Sequence, residues 1–145
     1  MITVHSPVTV TVTVALMLAL AAGCVPVPQR LDREEMYIKA SALTKLSAAV
    51  ESTVRYKNPP PELNDRELLK LTTRHDPALL DNFKDYTVRV LRQARHSVVL
   101  VCDTSGARAL LEDAGCSGPM DRHPWMEKPE PCEFTINTKE VCGRD

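Results

Sequence analysis

The sequence has almost no net charge and few aromatic residues. Lys and Arg together number 18 against 19 Asp and Glu, which leaves a formal charge of −1 at neutral pH. A chain balanced in this way gives no electrostatic reason to expect nucleic acid or acidic lipid as a partner. Aromatic residues make up only 4% of the chain, with a single Trp. A protein partner would then have to be selected by shape.

Signature motifs of enzymes are also missing. The chain has no G-x-S-x-G, P-loop, H-E-x-x-H or G-x-G-x-x-G pattern. The stretch VVLVCDTSG, 98–106, resembles the strand and turn of aspartic proteases, which carry Gly two residues after the catalytic Asp and use two such carboxylates. Here Gly106 stands one residue too far from Asp103, and no second copy of the turn follows. We therefore predict that Asp103 is a turn residue.

A pair of acids, Glu112 and Asp113, is the other candidate for acid chemistry. Adjacent residues point to opposite faces of a strand, so these carboxylates are poorly placed to flank one bond. We predict that both are solvated surface residues. A small hydrolase that uses Asp103 or Asp113 remains the rival functional hypothesis.

The first 24 residues, MITVHSPVTVTVTVALMLALAAGC, have the pattern of an export signal. They are uncharged from Val8 to Ala22, a stretch shorter than the roughly 20 apolar residues a spanning helix needs. The ending LAAGC, 20–24, resembles the lipobox of bacterial lipoproteins. The resemblance implies cleavage before Cys24 and attachment of acyl chains to that residue. An uncleaved anchor, or an ordinary signal peptide with a spare cysteine, is the alternative.

This resemblance sets the expected domain organisation. Residues 1–23 are the signal peptide, 24–30 a lipidated tether, and 31–145 a single small domain. Two or three acyl chains anchor a protein firmly, so the membrane is an expected partner through Cys24. Many Gram-negative lipoproteins held at the inner membrane carry Asp at the position of Val25. Its absence favours the outer membrane, facing the periplasm, in a Gram-negative host.

Four further cysteines form an even set in a compartment that permits disulfides. We predict two bridges. The pairing Cys116–Cys132 with Cys102–Cys142 is favoured because it ties the last segment back to an apolar strand, and Cys102–Cys116 with Cys132–Cys142 is almost as good. No two cysteines have the close spacing of zinc sites, so zinc held by these thiols and His123 is the weaker alternative. No metal or cofactor is predicted.

Helix signals fill the first half of the domain. Asp32 and Glu35 have capping-box spacing, an apolar stripe runs from Met36 to Val54, and KNPPPE, 57–62, should end that helix. Core packing is the favoured role of the stripe, with a coiled-coil seam to a partner as the alternative. Two short helices are predicted at 65–74, capped by Asn64 and Glu67, and at 77–85, capped by Asp76.

Strand signals fill the second half. Alternating or β-branched runs predict an antiparallel hairpin from 86–92 and 97–103, and another strand at 133–138. One long helix through 77–101 is the rival prediction, and 107–115 fits either a strand or a helix. The expected fold class is α+β, with N-terminal helices, a small antiparallel sheet and two disulfides in the C-terminal half.

The stretch SGPMDRHPWMEKPEP, 117–131, is the candidate binding loop. It contains the Trp, two Met and four Pro. Trp and Met are enriched at interfaces, and Pro lowers the entropy lost on docking. The alternative is that the Trp folds inward to cover the core. The candidate residues are Met120, Arg122, His123, Trp125 and Met126.

The C-terminal pattern RALLEDAGC, DRHPW and PCEFT, within 108–135, resembles an uncharacterised family of small bacterial envelope lipoproteins. That resemblance implies no activity. The expected function is non-catalytic: a lipid-anchored domain that binds another envelope protein in an assembly, accessory or inhibitory role. The alternatives are the small envelope hydrolase and a structural or surface lipoprotein without a specific partner.

Overall fold

The computed structural model describes residues 32–143. The signal peptide, the lipidation of Cys24 and the tether therefore lie outside the described residues. Within the described range, no helix is both long enough and apolar enough to cross a membrane.

Helix α1, Arg33–Lys57, is the longest element described. Asp32 caps it by accepting a hydrogen bond from the Glu34 N–H at 3.4 Å, while Glu35 pairs with Lys39 at 3.2 Å instead of completing a capping box. The helix ends before the prolines, as predicted. Its apolar stripe packs into the core of the domain, which confirms the favoured role of that stripe; the fully or nearly buried members are Met36, Ala40, Leu43, Leu46, Val50 and Val54.

Two short helices follow. Helix α2, Asp65–Thr72, begins with the predicted capping box, in which Asn64 and Glu67 each bond the other's backbone N–H. The second predicted helix is confirmed at Pro77–Phe83, where it is a 3-10 helix. The Asp76 side chain does not cap it. Its backbone carbonyl accepts from the Leu79 N–H at 3.4 Å, but its dihedral angles, φ −143° and ψ 78°, differ from the extended conformation of a capping residue.

The described residues contain an antiparallel sheet of order β1-β2-β3: Thr87–Gln93, His96–Cys102 and Ala109–Ala114. The predicted hairpin is confirmed, its tight turn uses Ala94 at φ 54°, and the rival long helix is wrong. The undecided segment 107–115 contributes β3. Side chains of β2 alternate, so that Val99 and Val101 face the core under α1 while Leu100 and Cys102 lie in a second apolar cluster.

The strand predicted at 133–138 is wrong. Residues 133–137 are irregular, and the short helix α3, Thr138–Val141, follows them. The N–H groups of Thr135 and Ile136 donate to the Glu112 carboxylate at 2.8 and 3.0 Å, so they are not available to a neighbouring strand. The predicted α+β class is nevertheless confirmed, with helices first and a small antiparallel sheet after them.

Two disulfides close the C-terminal half, but neither predicted pairing is right. The bridges are Cys102–Cys132 and Cys116–Cys142, with Cα separations of 5.8 and 5.6 Å. The backbone around Cys132 is bonded to the β2–β3 turn, where the Cys132 N–H donates to the Ala107 carbonyl at 3.0 Å. This contact brings Cys132 to the end of β2. Helix α3 carries Cys142 to the opposite end of β3.

Candidate functional site

Asp103 is a turn residue, as predicted. Its Oδ1 accepts from the Ser105 hydroxyl at 2.8 Å and from the Ala107 N–H at 3.0 Å. Partial burial acts to raise the pKa of Asp103, but the hydrogen bonds from Ser105, Arg108 and Ala107 outweigh it and leave the pKa below its ordinary value. Every one of these contacts stabilises the β2–β3 turn. Asp103 and Asp113 lie at opposite ends of β3, so the structure does not bring together the two acids of the rival hydrolase.

Glu112 and Asp113 are not surface residues; each is only 1% exposed. Being adjacent on β3, they point to opposite faces, as expected. Glu112 accepts a hydrogen bond from the Thr135 hydroxyl at 2.6 Å, besides those from the N–H groups of Thr135 and Ile136. Arg122 lies 3.8 Å from the same carboxylate. Its burial is tolerated because the carboxylate is fully occupied by donors.

Asp113 faces helix α1. It accepts hydrogen bonds from the Ser47 hydroxyl and from the Asp121 N–H, the latter at 3.2 Å. Burial is the largest influence and raises the pKa of Asp113 to about 6, the two hydrogen bonds oppose this rise, and the neighbouring Asp121 carboxylate adds to it. Asp121 itself accepts from the Ala114 N–H at 2.8 Å and the Ser117 hydroxyl at 2.7 Å. The pair fastens the loop after β3 to the sheet and the helix.

A second buried polar cluster joins α1 to the start of β2. Glu51 lies 2.6 Å from His96 Nδ1 and accepts from the Ser97 N–H at 2.7 Å and the Ser97 hydroxyl at 3.0 Å. A Ser, a His and an acid are thus in contact. However, Ser97 is fully buried and its hydroxyl donates to the carboxylate, not to the imidazole. This arrangement differs from a nucleophile–base relay, in which the serine must bond the histidine.

Sequence reasoning missed this polar cluster, although a signal was present. The apolar stripe of α1 steps through 36, 40, 43, 50 and 54, and the same spacing places Ser47 on the buried face. Glu51 follows Ser47 by one helical turn and is also buried. Polar residues inside a helical stripe predict partners across the core.

Two of the cysteines lie beside His96 and not beside His123, the histidine expected from the sequence. One ligand atom of His96 and the sulfurs of Cys116 and Cys142 all lie within 4.8 Å of one another. His123, which the sequence offered as the zinc ligand, lies instead against Tyr37 and Trp125.

The candidate binding loop, 117–131, runs beside the outer edge of β3. Arg122 pairs with Glu112 through both backbone hydrogen bonds and also forms an ion pair with Glu130. These bonds cover an edge that would otherwise present unpaired backbone groups. Arg122 therefore has an internal role in the fold. The loop is fixed by different bridges at its two ends, since Cys116 bonds Cys142 and Cys132 bonds Cys102.

Trp125 takes an intermediate position between the two predicted roles. It is partly buried and packs with Met120 against the main core, yet its ring also meets the Tyr37 ring edge-on at 5.9 Å. The indole N–H donates to His123 Nδ1 at 3.2 Å. Burial lowers the pKa of His123, which favours the neutral ring that such a hydrogen bond requires.

These contacts create an apolar surface at the start of α1. Tyr37, Ile38 and Met126 are about half exposed, at 49%, 56% and 50%. Ile38 lines two neighbouring shallow depressions, and Tyr37 lines one of them. We call the set of Tyr37, Ile38, His123, Trp125 and Met126 the aromatic surface. The sequence identified its loop half and missed its helix half, although Tyr37 and Ile38 cannot share the buried face with Met36.

Comparisons with protein-family models, with curated proteins and with solved structures give no match to this chain.

Proposed function

We propose that this protein is a lipid-anchored envelope protein whose folded domain binds another envelope protein through the aromatic surface. The observation that carries the proposal is the half exposure of Tyr37, Ile38 and Met126, together with the ring contacts that join Tyr37 to His123 and Trp125. Aromatic residues and Met are enriched in the cores of protein interfaces, and Trp and Tyr often dominate their energy. Partly buried Trp125 supplies a rigid anchor, because its position is already fixed by the fold.

The anchor rests on the sequence. Acyl chains on Cys24 would hold the domain at the membrane, and the outer membrane facing the periplasm is the proposed location. Intact mass of the membrane-extracted protein tests this part. We expect the mass of residues 24–145 plus acyl groups, with four thiols reacting only after reduction. An unacylated chain would contradict the anchor.

The binding surface is tested by placing a photo-crosslinking residue at Ile38 in cells. The matched control is Tyr56 on the same helix, which is 75% exposed and outside the aromatic surface. We expect one adduct of discrete mass from position 38 and none from position 56. Trp125→Ala should abolish the adduct while circular dichroism shows an intact fold.

A second variant, Met126→Asp, keeps the test decisive if Trp125→Ala does not fold. Met126 is half exposed, so its substitution should leave the fold intact. It should also abolish the adduct by placing a charge within the interface. The same adducts at positions 38 and 56, or none at either, would contradict the proposal and favour a structural lipoprotein without a specific partner. No contact among the described residues favours the hydrolase, since its two acids are separated and each has a role in the fold.

A further inference from the structure

The two disulfides lie in different surroundings. Cys102 is fully buried and Cys132 is 9% exposed, within the second apolar cluster. Cys116 and Cys142 are both only partly buried, and Cys142 follows the four-residue helix α3. A partly exposed bridge is the more accessible one to an attacking thiolate. Mild reduction should therefore open Cys116–Cys142 before Cys102–Cys132.

His96 lies close enough to these two sulfurs for all three side chains to bind one metal ion. Its ligand atom lies within 4.8 Å of both, and the ring is held by the Glu51 carboxylate at Nδ1. Because Glu51 lies on Nδ1, Nε2 is the nitrogen that would bind the metal, and a carboxylate in that position fixes the ring of a zinc-binding histidine and raises its basicity. Two thiolates and one imidazole form a donor set that Zn²⁺ prefers.

We propose that reduction of Cys116–Cys142 creates a Zn²⁺ site formed by Cys116, Cys142 and His96. A dithiol gives two electrons and two protons to the disulfide and becomes a disulfide itself. Zn²⁺ then displaces the two thiol protons and binds both sulfurs and the imidazole. These are three protein ligands, which leaves a fourth position for water, as in open zinc sites.

The distances make this change small. Ligand atoms around tetrahedral Zn²⁺ are roughly 3.5–3.8 Å apart, given Zn–S and Zn–N bonds of about 2.3 and 2.0 Å. The sulfurs must separate once their bond is broken, and the imidazole must approach by about an ångström. Rotation of the two cysteine side chains supplies most of the movement. In the oxidised protein the same sulfurs are joined to each other, so the site exists only in the reduced state.

The test uses the full chain in detergent. Limited treatment with dithiothreitol, followed by alkylation of a sample and mass mapping, identifies the species in which only Cys116 and Cys142 are reduced. After anaerobic removal of the reductant, Zn²⁺ is titrated against a chromophoric chelator, and Co²⁺ is used as a spectroscopic probe. We expect one Zn²⁺ per chain and a thiolate-to-cobalt charge-transfer band. The oxidised protein should show neither.

Variants separate this site from adventitious binding. His96→Asn should weaken Zn²⁺ binding at least tenfold and Glu51→Gln about ten- to a hundredfold, while the matched control His123→Asn leaves it unchanged. If His96→Asn does not fold, Cys142→Ser decides: weaker binding supports the site and unchanged binding overturns it. No stoichiometric Zn²⁺, equal affinity in His96→Asn, or a reduced domain that unfolds and is not restored by Zn²⁺ would also overturn the proposal.

Discussion

The sheet is covered on one face by helix α1 and on the other by the segment 132–142, and the two coverings are held by different forces. On the helix face, an apolar stripe of α1 packs against Val99 and Val101, with Ser47 and Glu51 bonded to groups of the sheet. Burial of apolar area supplies most of the stability there. This face resembles an ordinary small core.

The segment face has little apolar area and many specific bonds. It is joined through Cys102–Cys132, through the carbonyl of Cys132, which accepts from the Arg89 guanidinium at 2.8 Å, and through the Arg89 contact with the Phe134 ring at 5.3 Å. Glu112 holds the backbone that follows. A short irregular segment stays in place here because covalent and charge-assisted bonds replace area.

The largest effect is expected from a single methyl group added between β3 and helix α1. A Cβ on Gly115 would clash with the Ser47 backbone oxygen and the Glu51 Cβ. Both belong to α1 and cannot move unless the helix shifts away from the sheet. We expect Gly115→Ala to lower the free energy of unfolding by about 3 kcal/mol, measured by denaturant titration.

Gly118→Ala is the matched control, because nothing lies within 4 Å of the added methyl group. It should change the free energy of unfolding by less than about 0.5 kcal/mol. Equal effects of the two variants would mean that the close approach of β3 to α1 is not essential.

A smaller effect tests the segment face. Glu112→Gln keeps the size of the side chain. It turns an NH₂ group toward the N–H and hydroxyl donors of Thr135 and Ile136, whose hydrogen bonds the carboxylate accepts in the wild-type protein. We expect a loss of about 1–3 kcal/mol and faster amide hydrogen exchange at Thr135 and Ile136. The exposed Glu133, changed to Gln, provides the control. Unchanged exchange at Thr135 and Ile136 would show that the segment does not depend on the carboxylate.

The difference between the faces also explains what the sequence could predict. The helix face follows periodicity and capping rules, and α1, α2 and the hairpin were predicted from them. The segment face depends on a few long-range pairs that leave no periodic trace. Residues 133–138 alternate like a strand, yet Glu112 accepts from the N–H groups of Thr135 and Ile136. The cysteine pairing depends on where the chain returns to the sheet. Glu112 and Asp113 were assigned to the surface because their partners lie 23 and 66 residues away.

The candidate site divides in the same way. The loop half of the aromatic surface, with His123, Trp125 and Met126, has an unusual composition, and the sequence alone predicts it. The helix half and the His96 cluster are formed from ordinary residues that only the fold brings together.

The last effect appears only when the pH changes and concerns the contact between Asp113 and α1. Burial raises the pKa of Asp113 to about 6, above the roughly 3.9 expected in the unfolded chain. The native state therefore binds more protons between these values. Its contribution to stability is fully present below about pH 4 and is lost as pH rises through 6. Relative to wild type, the free energy of unfolding of Asp113→Asn should rise by on the order of 1–3 kcal/mol between pH 4 and pH 7. Denaturant titration at each pH measures it.

Asp103→Asn should show the opposite sign, which makes it an internal control. The turn hydrogen bonds overcome partial burial and hold the pKa of Asp103 below its ordinary value, so its contribution is present above about pH 4 and lost in more acidic solution. Relative to wild type, Asp103→Asn should therefore lose stability as the pH rises through 4. If both variants track wild type at every pH, neither carboxylate differs in its surroundings between the folded and unfolded chains. Asp113 would then have to be in contact with water, and the polar bonds between α1 and β3 would be absent in solution.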